Sequence, residues 1–206
     1  MDTISDKRTC AWALNHPIER EYHDKEWGKP NFDDQYLFEF ITLEGAQAGL
    51  SWYTILKRRE AYREAFKHYD LKTLIEVKQL AEIHDDESHI DDIISNYDVI
   101  KHRNKIRSVF SNAEAAFALQ QEYGSLSAAL WQFVNGIPVI NTWTKQEQVP
   151  AITEQSKAMS KFLKKKGFKF IGETICYALM QATGMVNDHL VSCDCYEPSK
   201  HMPKSL

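Results

Sequence analysis

The sequence predicts an all-α protein. Apolar residues recur three and four positions apart through most of the chain. Long apolar–polar alternation, the mark of half-buried strands, is absent. The apolar stretches open on Asp or Ser and close on glycine, the residue types that start and stop helices.

The elements follow in order. "DDQYLFEFITLEGAQAG" is a helix capped by Asp33 or Asp34, with Leu37, Ile41, Glu44 and Ala48 on one face and Gly49 as its stop. Ser51 caps the next, whose apolar side is Trp52, Ile55, Leu56, Tyr62 and Phe66. Asp70 opens another, carrying Leu71, Leu74, Ile75 and Leu80. Ile90, Ile93, Ile94 and Tyr97 mark a short helix. Ile106, Val109, Phe110, Ala113 and Phe117 mark a longer one closed by Gly124. Leu126, Leu130, Phe133 and Val134 mark the next, closed by Asn135-Gly136. "IPVINTW" is a loop or an isolated extended piece. "SKAMSKFLKKK", "GFKFIG" and "ETICYALMQATG" read as two helices joined by a glycine-bounded turn. No internal repeat or long linker divides the chain. Residues 1–206 are therefore expected to form a single two-lobed domain.

Composition narrows the function. Hydrophobic residues make up 43% of the chain, enough for a substantial core. The net charge of −4 gives no global basic field, so any nucleic-acid contact must be local. "MDTISDKRTCAW" has no apolar run of the signal-peptide kind, and nothing approaches the ~18–20 apolar residues of a membrane span. A cytoplasmic protein with reduced thiols is expected, so its four cysteines read as thiols or ligands. Cys176, inside "TICYALM", reads as core.

"NDHLVSCDCY" sets His189 and Cys193 four apart, with Cys195 two further on. That spacing is half of a metal site. Cys10 and His23, near the other end, supply two more donors. Two thiolates and two imidazoles suit zinc, and together they would staple the chain ends. On spacing alone, His189 and Cys193 read equally well as two residues sharing a helix face, and Cys195 competes with Cys193.

Glu44 falls on an apolar helix stripe. A carboxyl there must be paired, hydrogen-bonded or protonated. Trp12, Trp27, Trp52 and Tyr22 stand in nearby motifs; taken singly they read as core, but around one buried acid they form a pocket for a flat cationic ring. In "FLKKKGFKFIGETI", Gly167 and Gly172 allow close backbone approach, and the second helix offers amides to a phosphate. Lys164, Lys165, Lys166 and Lys169 add positive charge there. Lys101, Arg103, Lys105 and Arg107 form a second basic run that reads equally as a solvated helix face.

"CAW", "YHDKEWG", "FEFITLEGAQAGLSW", "KKKGFKFIGETICYALMQATGMVNDH" and "CDCY" resemble the bacterial 3-methyladenine DNA glycosylase I family, from about Cys10 to Tyr196. The resemblance implies a helix-hairpin-helix DNA-repair fold. It implies a monofunctional glycosylase that flips 3-methyladenine out of alkylated duplex DNA, hydrolyses its N-glycosidic bond and releases the free base. It implies one structural zinc on Cys10, His23, His189 and Cys193. It puts Glu44 in base recognition and, further, in catalysis, with Tyr22 and Trp52 bracketing the base and Trp12 and Trp27 lining the pocket. Gly49-Leu50 resembles a probe entering the base stack, and Gly167, Lys169 and Gly172 are the expected phosphate contacts. No membrane is implied, and a monomer is expected.

Three features depart from that pattern. Glu19 stands where the family carries an aromatic. The glycine turn is wider than is usual in the superfamily. Asp188 reads as a helix cap or a hydrogen-bond partner of His189, not as the superfamily's catalytic aspartate. Without a catalytic lysine in the hairpin, lyase activity is not expected. A zinc-stapled DNA-binding protein would have no use for Glu44 and its aromatics, and a redox protein would want C-x-x-C rather than C-x-C.

Overall fold

The computed structural model describes residues 8–196. The first seven residues, on which the signal-peptide reading partly rests, and residues 197–206 of the expected domain lie outside them.

The centre of the fold is α2 (Asp34–Gln47), capped by Asp33, whose carboxylate accepts from the Tyr36 amide at 2.8 Å. Residues 37–46 are all buried, so α2 is covered on every side rather than along one stripe. The helix ends at Gln47, and Ala48 is exposed instead of continuing the buried face. Around it pack α3 (Trp52–Leu56), α7 (Arg103–Tyr123), α8 (Leu126–Trp131) and α10 (Glu173–Ala182). Asp34 fixes α8 by accepting from the Leu126 and Ser127 amides at 2.9 and 2.7 Å.

The stretch from Trp52 to Phe66, expected as one helix, breaks at Lys57-Arg58 into α3 and α4 (Arg59–Ala65). After the break, Arg59 and Arg63 both reach Glu39 on α2. Asp70 caps α5 (Leu71–His84) as expected, but the helix is ended by Asp85 in a left-handed conformation rather than by glycine. α6 (Ser88–Asn96) and α7 run where the spacing puts them, and Gly124 stops α7.

The sequence pattern shows neither α1 nor the pairing of the extended piece. α1 (Pro17–Lys25) buries Glu19, Tyr22 and His23, so its inner face is largely polar and shows no apolar period. The extended piece β1 (Val139–Ile140) pairs in parallel with β2 (Val186–Asn187), Val139 opposite Val186. This two-residue ladder leaves the all-α reading intact.

The two ends of the described chain meet backbone to backbone. The Gly28 amide donates to the Gln181 carbonyl and the Asn31 amide to Thr183, each at 3.0 Å. Gly184 allows this approach: its φ is +72°, and a Cβ there would sit 2.2 Å from the Lys29 carbonyl carbon. One hydrophobic core runs from Tyr22 to Val186. Among the described residues, no helix is long and apolar enough to cross a membrane.

Candidate functional site

A cavity of about 400 Å³ opens between α1, α2 and α3, and Trp12, Tyr22, Trp27, Glu44 and Trp52 all line it. Trp12 and Trp27 meet edge to face at 5.0 Å, and Trp12 lies 6.4 Å from Tyr22. Tyr22 and Trp52, expected to bracket a base, touch each other instead. Their centroids are 5.4 Å apart and their planes tilted by 52°. A base between two rings needs two contact gaps of ~3.5 Å, about 7 Å in all. The pair therefore forms one corner of the cavity rather than two facing walls.

Three polar atoms of the cavity-lining residues are buried without a hydrogen-bond partner: the Tyr22 hydroxyl, Trp52 Nε1 and Glu19 Oε2. Leaving such atoms bare is costly, and native proteins rarely do so without a reason. All three belong to residues of this one cavity.

Two glutamates of α2 make an instructive contrast. Glu39 is buried, which pushes its carboxyl up, but the guanidiniums of Arg59 at 2.9 Å and Arg63 at 2.7 Å outweigh burial and hold it below its ordinary range. Glu44, one and a half turns on, is just as buried, at 5% exposure. No Lys, Arg or His lines its cavity, and no hydrogen bond or ion pair reaches it from the described residues. Burial alone pushes its carboxyl up to about 8. A structural acid would look like Glu39.

Directly behind the tryptophans, Cys10, His23, His189 and Cys193 come together from opposite ends of the chain, all four buried. One donor atom from each lies within 4.8 Å of the others. Cys193 Sγ is 3.6 Å from His23 Nε2 and 3.7 Å from His189 Nδ1, and Cys10 Sγ is 3.9 Å from His189 Nδ1. Cys195 lies on the outer side of His23, 3.9 Å from Nδ1 and 3.5 Å from Asp24 Oδ1. Of the two cysteines the sequence left in competition, Cys193 joins the four. The cluster supports the cavity wall: Trp12 lies edge-on to His23 at 5.4 Å, and Trp27 to His189 at 4.7 Å.

The comparisons with known proteins bear on this arrangement. The methyladenine glycosylase family matches residues 12–196. The chain is 48% identical over 186 residues to a DNA-3-methyladenine glycosylase of Haemophilus influenzae, covering 90% of this chain and 96% of that one. It is 44% identical over 191 residues to DNA-3-methyladenine glycosylase 1 of Escherichia coli K12, covering 93% and 98%. The chain belongs to the methyladenine glycosylase family. The structure of the Staphylococcus aureus enzyme, solved for its recognition of 3-methyladenine, superposes with a TM-score of 0.85 at 31% identity, covering 94% of this chain and 98% of that one.

Other family positions fall as follows. The glycine-bounded turn joins α9 (Glu154–Lys165) to α10, with Gly167 at φ +96° and Lys169 exposed. A Cβ on either Gly167 or Gly172 would meet nothing within 4 Å, so neither glycine serves close packing inside the protein. Gly172 leaves open space at the α10 amino end, which no side chain caps. Asn112 of α7 clamps the turn, accepting from the Lys169 amide at 2.8 Å and donating to its carbonyl at 3.2 Å. Sequence spacing gave no sign of Asn112, since a lone polar residue on a long helix has no signature.

Leu50 is 38% exposed rather than tucked inward, and Gly49 beside it has φ +84°. Three of the four residues in the second basic run have partners within the protein. Arg103 pairs with Asp91, Arg107 with Glu87 at 2.6 Å, and Lys105 donates to the Ala46 and Ala48 carbonyls at the end of α2. Lys101 is exposed. Asp188 neither caps a helix nor holds His189. It accepts from Asn141, Trp143, Tyr177 and Gln181 at 2.6–2.8 Å, which ties β1 and its loop to α10. With four donors its lone pairs are taken, and it has none to offer as a base.

Proposed function

We propose that the cavity receives a 3-methyladenine flipped out of duplex DNA and that the chain hydrolyses its N-glycosidic bond, the first step of base-excision repair. One observation carries this: a buried glutamate with no partner, set among tryptophans whose neighbours also leave buried polar atoms unsatisfied. Methylation at N3 makes the base cationic while it is still attached to deoxyribose. Aromatic faces attract such a ring, and a carboxylate can accept from its exocyclic amine. The incoming charge favours the ionised form of Glu44 and so works against the burial that protonates it. Neutral adenine offers no such compensation.

The positive charge also makes the lesion a good leaving group. The bond between C1′ and N9 breaks with its electrons passing to the ring, which becomes neutral. Water attaches to C1′ and gives up a proton. A glutamate held near 8 suits recognition first; it becomes a base for that water only once the positive charge of the lesion has favoured loss of its proton to solvent. The test is incubation of the protein with methylated duplex DNA and chromatography of the released bases. Release of 3-methyladenine supports the reading, and its absence refutes it.

We read the cysteine–histidine cluster as a structural zinc site formed by Cys10, His23, His189 and Cys193. The donor chemistry supports this. His23 Nδ1 faces Asp24 Oδ1 at 2.8 Å and His189 Nε2 faces the Trp27 carbonyl at 3.1 Å, so each outer nitrogen carries the proton. The inner nitrogens are then bare, yet they approach to 3.1 Å. Two lone pairs at that distance call for a cation between them. Zinc there would close a four-donor set with no open position, holding the chain ends and the tryptophan wall without taking part in the reaction.

The α10 amides and Lys169 are our candidates for phosphate contact, within a helix-hairpin-helix unit, and exposed Leu50 for filling the gap left by the flipped base. All of these groups come from one chain, so the reading needs only a monomer, acting on DNA in the cytoplasm.

A further inference from the structure

Glu19 is the residue of the chamber that the family pattern does not account for. It is 7% exposed, its Oε2 is buried without a hydrogen-bond partner, and it lines the same cavity as Glu44. The two carboxyls come from different helices, α1 and α2, so they reach the cavity from different walls. A packing role explains the burial poorly, because an aromatic or aliphatic side chain would fill the space without leaving an oxygen bare. Glu19 lies in the first turn of α1, whose amino end carries partial positive charge that suits a carboxylate.

We propose that Glu19 is a specificity-determining residue of this chain, a second carboxylate that accepts from the flipped base and complements its positive charge. The cationic nucleotide then meets acceptors on two walls, whereas a neutral base gains little from the added charge. The proposal rests on the reading of the cavity as the base site.

The charge difference supplies the test. 3-Methyladenine is cationic in DNA and neutral once released. Glu19→Gln preserves size and removes the charge; Glu19→Leu removes the acceptor as well. We expect single-turnover release of 3-methyladenine from methylated duplex to fall about ten- to a hundred-fold in Glu19→Gln, the range for a lost charge-assisted hydrogen bond. Affinity for free 3-methyladenine, followed by tryptophan fluorescence, should fall at least about five-fold less than excision does. Glu19→Leu should lose at least as much excision as Glu19→Gln. Equal losses in excision and free-base affinity, or wild-type excision by either variant, would make Glu19 a packing residue and overturn the proposal. A wild-type protein that releases no 3-methyladenine would instead remove the reading on which the proposal rests.

Discussion

Glu44→Gln should make the protein more stable in alkali while making it a poorer enzyme. The carboxyl of Glu44 is raised from an ordinary 4.5 to about 8, with burial as the cause. The folded state therefore holds the proton more tightly than the unfolded chain does. Stability from this group is fully present below about 4.5, where both states are protonated, and is lost as pH rises toward and through 8. At ~1.4 kcal/mol per pH unit the ceiling of that loss is about 5 kcal/mol. Water in the open cavity lowers it, and ~1–3 kcal/mol at pH 8 is a sound expectation. For a chain of this size that corresponds to a Tm about 2–10 °C higher for the glutamine variant at pH 8, shrinking several-fold by pH 5 and to nothing below about pH 4. Glutamine matches the protonated acid in shape and never ionises. Excision of 3-methyladenine should meanwhile fall about ten- to a hundred-fold, as for a lost charge-assisted hydrogen bond. The assay is a pair of thermal melts at pH 5 and pH 8, with single-turnover excision on the same preparations. Glu39→Gln is the control: it strips a carboxylate from Arg59 and Arg63 and should destabilise by ~3 kcal/mol or more at both pH values. If Glu44→Gln melts no higher than wild type at pH 8, or gains as much at pH 5, the buried-acid argument fails. If it excises at the wild-type rate, Glu44 is not a recognition residue.

The remaining expectations are simpler. Cys10→Ser should lower both zinc content, read by elemental analysis, and melting temperature; full zinc occupancy in that variant would remove Cys10 from the ligand set. Gly184→Ala should cost ~2–3 kcal/mol in urea denaturation, because a Cβ would overlap the Lys29 backbone at a left-handed φ, and wild-type stability would refute that close approach. Gly172→Val keeps an ordinary φ of −73° with open space around it, so the fold should survive while a branched side chain screens the α10 amides. Binding to damaged and undamaged duplex should then weaken alike in fluorescence anisotropy, and a loss confined to lesion-bearing duplex would count against a phosphate contact.

The legible part of this protein was the part written in local or chemically rare patterns. Ser51 and Asp70 cap the helices they were expected to cap, and Asp33 is the one of the pair Asp33 and Asp34 that caps α2, because an N-cap is a contact between a side chain and an amide three residues away. His189 and Cys193 read on spacing alone equally as two residues sharing a helix face, and it was the family resemblance that set them apart together with Cys10 and His23. Glu44 stood out because a carboxyl on an apolar stripe demands an explanation. The hidden part depended on partners far away in sequence. α1 escaped the apolar period because its inner face is built of Glu19, Tyr22 and His23, whose burial makes sense only beside the cavity and the cysteine–histidine cluster. Arg103, Lys105 and Arg107 read equally as a basic patch or a solvated helix face, and only tertiary contact pairs them with Asp91, with the end of α2 and with Glu87. Asp188 read as a helix cap or a partner of His189, and folding instead surrounds it with four donors from two segments. Sequence by itself determined which residues carry unusual chemistry. Tertiary structure decided which of them remain unpartnered, because a charge or a polar atom is free for a ligand only when no distant segment has already satisfied it.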